Sequence, residues 1–301
     1  MQYKNNKDGY RKSNHDYTFR HRQPFSEENL RNPKEISAEA KWLMRKEKFK
    51  KARDLLETAH QQYPNNKYFY SMLIKVYGAL GDINNARKLF DEVVRKGIAD
   101  VVIYNSMIDA YGKNGRLDEA RKLFDEVVRK GIADVVTYTS MIDAYYHKGK
   151  FAEIEELISG APEKIKNDEE LILSRLEVMR KQKKYSEVLR QIESLLNNRT
   201  FKEYNSIVLA RVIRAYCLKD SGRKDKAIEE LRRLKTKVSR TNIHYPRIIC
   251  GLVFCYDVHG NESEQFKHDL EMRSRENISP SLSYDIECAL RILKRNSNRN
   301  L

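Results

Sequence analysis

Residues able to bind a metal are few in this sequence, and their spacing decides what they can do. Cys250 and Cys255, with His244 and His259, form the densest group of metal-ligand types. The spacing matches no zinc template, and two cysteines five residues apart on a helix point their sulfurs in different directions. The sequence therefore predicts buried thiols and no metal site.

Catalytic patterns are equally sparse. The seven histidines form no motif with a nucleophile, and no phosphate-binding loop is present. Gly78–Gly81 and Gly112–Gly115 match the G-x-x-G loop that clamps nucleotides in KH domains, but they lie between helical stretches and are interpreted as turn glycines. A protein without catalytic activity and without a cofactor is predicted.

A basic cluster near the C-terminal end has two open interpretations. Arg232, Arg233, Lys235 and Lys237 lie within six residues, shortly after further cations. Such a cluster forms either a solvated helix face or a contact with a polyanion such as an RNA phosphate backbone.

Composition limits the elements that must position these residues. Only 12 glycines and six prolines occur in 301 residues, which favours long helices over sandwiches and barrels. No apolar run is long enough to span a membrane. The four cysteines form no C-x-x-C pair, which favours a reduced, intracellular compartment over secretion.

An internal repeat organises the chain. Residues 86–102 recur without change at 120–136, an offset of 34 residues. A fixed period of this length is typical of helical repeat arrays. The same offset relates weaker similarities on both sides, so the sequence predicts four units, 33–66, 67–100, 101–134 and 135–168.

Each unit has the pattern of two amphipathic helices. Tyr104, Met107, Ile108 and Tyr111 lie on one stripe of a helix, and a second stripe begins after Gly115. A helix pair this short buries its stripes only by stacking on its neighbours. The predicted fold is therefore an all-α solenoid of about seven helix pairs.

Three regions are predicted along the chain. A basic, disordered arm covers residues 1–32, and the repeat array covers 33–168. Degenerate helical repeats follow over 169–301, where residues 281–296 form a capping helix.

The units 67–100, 101–134 and 135–158 resemble pentatricopeptide repeats, through segments such as Val-Val-Ile-Tyr-Asn-Ser-Met-Ile-Asp-Ala-Tyr-Gly-Lys at 101–113. The flanking units are more similar to tetratricopeptide repeats. Two departures from the pentatricopeptide pattern are a unit one residue shorter and an Ala-Asp ending where the family has a Pro-Asp-like pair.

The resemblance implies recognition of single-stranded RNA, with one base read per repeat by two or three side chains. In such repeats, the residue after the first-helix tyrosine and the last residue of the unit contact the base edge, and a residue two positions before the tyrosine lies between bases. These positions are Tyr68, Ser71 and Asp100 in the first unit, Val102, Asn105 and Asp134 in the second, and Val136 and Thr139 in the third, with Asp168 as its last residue if the register is kept.

The resemblance also implies a base preference. Asn with Asp is similar to the family's uracil pairing, and Ser or Thr with Asp to its guanine pairing, which gives 5′-G-U-G-3′ read parallel to the chain. A structural alternative exists for the same residues, because small polar side chains and aspartates near helix starts also cap backbone N–H groups.

Two functions remain open at this point. The first is RNA binding without catalysis along the face formed by the first helices, and the second is a scaffold that binds a peptide or helix. The net charge of +15 does not separate them, because residues 67–168 have no net charge while 201–240 carry +7. The excess charge predicts that nonspecific RNA affinity depends on the basic cluster.

The expected compartment is intracellular. By resemblance, a eukaryotic source implies a mitochondrion or plastid, whereas a bacterial source leaves the cytoplasm or export into a host open.

Overall fold

The computed structural model describes residues 32–255, 260–274 and 280–298, which form sixteen helices and no strand. Apart from Asn32, the predicted N-terminal arm lies outside the described residues, as does His259. The helices are α1 (Pro33–Arg45), α2 (Phe49–Gln62), α3 (Lys67–Leu80), α4 (Ile83–Arg95), α5 (Val101–Lys113), α6 (Leu117–Arg129), α7 (Val135–His147), α8 (Phe151–Ser159), α9 (Glu163–Lys166), α10 (Glu169–Lys181), α11 (Tyr185–Asn197), α12 (Tyr204–Asp220), α13 (Lys224–Lys237), α14 (Tyr245–Cys255), α15 (Gly260–Ser274) and α16 (Pro280–Asn298).

The predicted fold class is confirmed. Seven helix pairs follow one another within the described residues, with α16 as the final helix and α9 as a short extra turn. The helices α3, α5, α7 and α10 begin at intervals of 34 residues. Gly115 has φ of +72° between α5 and α6, which is the left-handed conformation that a glycine between two helices was expected to supply.

The pairs stack in two layers. The first helices α3, α5, α7 and α10, called here the first-helix layer, pack directly on one another in order. The helices α2, α4 and α6 each pack on the first helix of their own pair and on that of the next. Tyr104 is one of the residues buried between the layers; its ring makes an edge-on contact with Phe90, and its hydroxyl donates a hydrogen bond of 2.7 Å to Glu126.

Two glycines have a role that the sequence analysis assigned wrongly. Gly78 and Gly112 lie inside α3 and α5, and only Gly81 and Gly115 are turn residues. A Cβ atom at Gly112 would lie 2.6 Å from the Cβ of Ala144. Gly78 faces Ala110 with the same 2.6 Å separation. These glycines therefore allow neighbouring first helices to approach closely.

The regular alternation of helix pairs is interrupted after α8. The helix α8 ends at Ser159 because Pro162 has no N–H to donate within a continuing helix. The interruption leaves α9 as a separate turn of four residues. The register is nevertheless kept, since Asp168 caps α10 by accepting a hydrogen bond of 2.9 Å from the Glu170 N–H. The first helix α12 has 17 residues, against 13 in α5, α7 and α10.

Candidate nucleic-acid interface

An exposed row runs across the first turns of three neighbouring helices. Tyr68, Val102 and Val136 each occupy the second position of α3, α5 and α7, and their exposed fractions are 71%, 49% and 49%. Large apolar side chains left in water at equivalent positions of stacked repeats are available to pack against the faces of a flat ligand. The equivalent residue of α10 is Glu170, so the apolar row ends there.

The predicted base-edge residues of the first helices lie one turn further along and are buried. Ser71 and Thr139 turn back on their own helices, because their hydroxyls donate to the carbonyl oxygens of Tyr68 at 3.0 Å and Val136 at 3.3 Å. Asn105 instead reaches the next pair, where its Nδ2 donates to Asp134 Oδ1 at 3.0 Å. The structure thus brings together the two residues that the resemblance paired in the second unit.

Both terminal aspartates are helix N-caps, as the structural alternative expected. Asp100 accepts from the Ile103 N–H at 3.1 Å, and Asp134 accepts from the Thr137 N–H at 2.8 Å. Asp100 also lies 3.8 Å from the Lys67 ammonium. Capping uses only part of a carboxylate's accepting capacity, so it is compatible with a contact to a base.

The basic cluster is divided by the fold. Arg232 and Lys235 lie 3.8 and 3.6 Å from the Glu262 carboxylate on α15, and the Lys235 ammonium lies 4.5 Å from the Phe266 ring centroid. Arg233 and Lys237 are exposed. The role of all four in phosphate binding stays a prediction, and the contacts with α15 compete with it at Arg232 and Lys235.

Sequence reasoning did not find a cavity of about 270 Å³, which is lined by residues of α5, α7, α10, α12 and α14 and carries charged side chains on a mostly apolar wall. Its charged lining includes Asp109, Asp143, Glu170, Lys113 and Arg247. Lys113 pairs with Asp109 at 2.8 Å. The signal was present in the sequence, since Asp109 and Asp143 are separated by one repeat length.

The carboxyl of Asp143 is destabilised in its charged form. Partial loss of water around its carboxyl, followed by the negative charge of Asp109, raises its pKa to about 6, against the weaker opposing effect of Lys113. The pKa of Glu170 is also raised, chiefly by burial and then by Asp168 and Asp134. This part of the first-helix layer therefore disfavours further negative charge.

We expect Asp143→Asn to be more stable than the wild type at pH 7, because the charged carboxylate is disfavoured at this position. The gain should be at most about 1 kcal/mol, since Asp143 is exposed and solvent screens its charge. A carboxyl with a raised pKa stabilises the fold fully below its unfolded pKa of about 3.9, and this contribution is lost as the pH rises through about 6. The gain should therefore vanish below pH about 4 in urea unfolding curves. Asp125→Asn, at an exposed carboxylate, is the control, and an equal gain there would contradict the explanation.

Three of the four cysteines lie in the core. Cys217, Cys250 and Cys255 are buried, and burial raises the pKa of Cys217 to about 12. Burial lowers the pKa of His244 to about 4. No group of three metal-binding side chains lies together in the described part of the chain. None of the described helices has the length and apolar character needed to cross a membrane.

Comparison with known repeats identifies this architecture. Residues 99–147 match the PPR repeat family, residues 136–160 match the PPR repeat, and residues 43–97 match the tetratricopeptide repeat. Residues 43–160 are therefore similar to repeats of both kinds. Most of the pair 67–100 falls in the tetratricopeptide match, although its sequence resembles pentatricopeptide repeats. Curated protein sequences give no match.

Solved structures show the same fold at low sequence identity. A tetratricopeptide repeat protein from Parabacteroides merdae is 13% identical, with a TM-score of 0.55 over 87% of this chain and 98% of its own. Yeast Tom70 is 14% identical, with a TM-score of 0.51 over 94% of this chain and 68% of its own. The maize pentatricopeptide repeat protein PPR10 is 16% identical, with a TM-score of 0.45, and the match spans 88% of this chain but 44% of the maize protein.

Proposed function

We propose that this protein binds single-stranded RNA without catalysing a reaction, along the first turns of α3, α5 and α7. The exposed row of Tyr68, Val102 and Val136 is the observation that carries the proposal. Unstacked bases stack on aromatic side chains such as Tyr68, and the apolar surfaces of Val102 and Val136 are available to the faces of neighbouring bases. The neighbouring Asn105 and Asp134 supply hydrogen-bonding groups at the base edge.

The proposed site is short, and this limits its affinity. Three stacked bases contribute about 1–3 kcal/mol each before the ordering cost of association, which falls short of the −12.3 kcal/mol of nanomolar binding. Phosphate contacts or a protein partner must add the remainder. Arg233 and Lys237 are exposed cations that could serve, although they lie far along the chain from the row.

We expect Tyr68→Ala to weaken binding of a short G-U-G-containing RNA about tenfold, because one stacking contact worth about 1–3 kcal/mol is removed. Val102→Ala should weaken it less. Fluorescence anisotropy with the full chain measures both. Val128→Ala on α6 is the matched control for Val102, since Val128 is exposed by 40% but lies in the second helix of the pair. Equal effects of Val102→Ala and Val128→Ala would count against the proposed surface.

A protein-binding scaffold is the second candidate, and the cavity between α5, α7, α10, α12 and α14 favours it. The lining carboxylates Asp143 and Glu170 both have raised pKa values, so an entering cationic side chain of a peptide would relieve their unfavourable charge. Capture of partners from a lysate with and without ribonuclease separates the two candidates. Partners lost on ribonuclease treatment support RNA binding, and partners retained support the scaffold.

A further inference from the structure

Three polar side chains from two consecutive pairs form a closed hydrogen-bonded group between α5 and α7. The Thr137 hydroxyl lies 2.8 Å from Asn105 Oδ1 and 2.9 Å from Asp134 Oδ1, so its single proton is shared between these two acceptors, and Asn105 Nδ2 donates to Asp134 Oδ1 at 3.0 Å. The Thr137 oxygen in turn accepts from the Asp134 backbone N–H at 3.1 Å. Asn105 thus contacts the last residue of its own unit and the third residue of α7.

Thr137 is unusual for its position. The third residues of α3, α5, α7 and α10 all face the core and are at most 1% exposed. Three of them are apolar, namely Phe69, Ile103 and Leu171, and Thr137 alone among these four is polar. A buried hydroxyl costs free energy unless it is hydrogen-bonded. Here its bonds go to the two predicted base-edge residues.

The group fixes the orientation of the Asn105 carboxamide. A rotation that exchanged Oδ1 and Nδ2 would place the amide oxygen against the Asp134 carboxylate and the NH₂ group against the Thr137 hydroxyl. With the observed orientation, Asn105 keeps its second Nδ2 hydrogen, and Asp134 keeps Oδ2 as an acceptor outside the group. The pair then offers one donor and one acceptor in fixed order.

The preceding pair lacks this arrangement. Ile103 stands where Thr137 does, and Ser71 bonds to its own helix instead of to Asp100. Asp100 faces the Lys67 ammonium at 3.8 Å. Two units whose last fifteen residues, 86–100 and 120–134, are identical thus hold their terminal aspartates by different partners.

We propose that Thr137 is a positioning residue that sets base discrimination at the pair 101–134. This rests on the proposed RNA-binding function. Uracil presents an N3–H donor beside a carbonyl acceptor, whereas cytosine presents N3 as an acceptor beside an amino donor. The fixed order of donor and acceptor therefore favours uracil. Without the Thr137 hydroxyl, the carboxamide of Asn105 turns more freely, and the two pyrimidines are distinguished less.

The test compares Kd values of the full chain for two RNAs, each a run of adenosines with a central G-U-G or G-C-G. We expect Thr137→Val to reduce the preference for G-U-G about fivefold, the size of one hydrogen bond. Thr137→Ser should retain the preference because it keeps the hydroxyl. Ile103→Val, at the matching position of the preceding pair, should leave it unchanged.

The outcomes are distinguishable. If Thr137→Val keeps the wild-type preference while binding RNA, the positioning role is overturned and RNA binding stands. Wild-type protein that binds neither RNA overturns the proposed function, and the role of Thr137 with it. Unfolding curves of each variant show whether it is folded, and the apolar residues at the three equivalent positions indicate that valine is accommodated.

Discussion

Arg180→Ala is expected to lower the free energy of unfolding by about 3–5 kcal/mol, because it removes the cation from a buried ionic group. The Arg180 side chain is 9% exposed and bonds Glu177 on α10 at 2.7 Å and Asp220 on α12 at 2.6 Å. Its guanidinium also lies 5.3 Å from the centroid of the Tyr216 ring. Without it, two carboxylates that are about one-fifth exposed lose this partner.

Denaturant unfolding followed by circular dichroism measures this loss, and its pH dependence tests the cause. Desolvation acts to raise the pKa of the Glu177 carboxyl, but the charge of Arg180 and its hydrogen bond lower that pKa below the ordinary value. A carboxyl with a lowered pKa contributes stability above its unfolded pKa and loses it as the pH falls through the folded value. The difference between variant and wild type should therefore shrink in acid.

The control is Arg291→Ala, at an exposed pair in which Arg291 and Glu287 are 69% and 61% exposed. We expect an effect below about 0.5 kcal/mol there. If Arg180→Ala lowers the free energy of unfolding by no more than Arg291→Ala does, the ion pairs of Arg180 do not act as a buried ionic group. Arg180→Ala should also cost less in a Glu177→Gln background, because one of the carboxylates is then neutral.

Gly112→Val is expected to cost about 3 kcal/mol of unfolding free energy, since its Cβ would lie 2.6 Å from Ala144 Cβ and two further methyl groups must be accommodated. The backbone itself permits the change, because Gly112 lies within α5. The cost thus comes from the separation of α5 and α7. Because stacked repeats contact only their neighbours, a weaker contact between α5 and α7 should also make unfolding of the Gly112→Val variant less cooperative.

Two variants check this explanation by thermal and denaturant unfolding. Gly160→Ala, where the nearest atom to a new Cβ is the Glu156 carbonyl oxygen at 3.4 Å, should change stability by less than about 1 kcal/mol. Gly112→Ala combined with Ala144→Gly should cost less than the sum of the two single changes. If the free-energy changes of the two single variants simply add in the double variant, the contact between Gly112 and Ala144 does not limit how closely α5 and α7 pack.

The repeated segment shows how far identical sequence gives identical contacts. Tyr70 bonds Glu92 at 2.6 Å and Lys96 at 2.7 Å, and Tyr104 bonds the equivalent Glu126 and Lys130. Each contact joins a first helix to the second helix of the same pair. In the third pair, Gly160 stands where Glu126 does, so the acceptor is missing. Contacts within one unit follow directly from its sequence.

The sequence by itself determined the local elements. The period of 34 residues, the stripes of each helix, the turn at Gly115 and the capping aspartates are properties of short segments, since amphipathic spacing and N-capping act within one or two turns. The exposed row at Tyr68, Val102 and Val136 follows too, because one register repeats along the array.

The tertiary structure decided the contacts between pairs. Asn105 meets Asp134 and Thr137, Arg180 meets Asp220, and Gly112 meets Ala144 only because consecutive first helices pack side by side. The partners are about 30 to 40 residues apart in the sequence, as one helix pair separates them. No local propensity acts over that distance. Which side chains meet is therefore set by the spacing and rotation of the packed helices, and the groups that would recognise a base are fixed at that level.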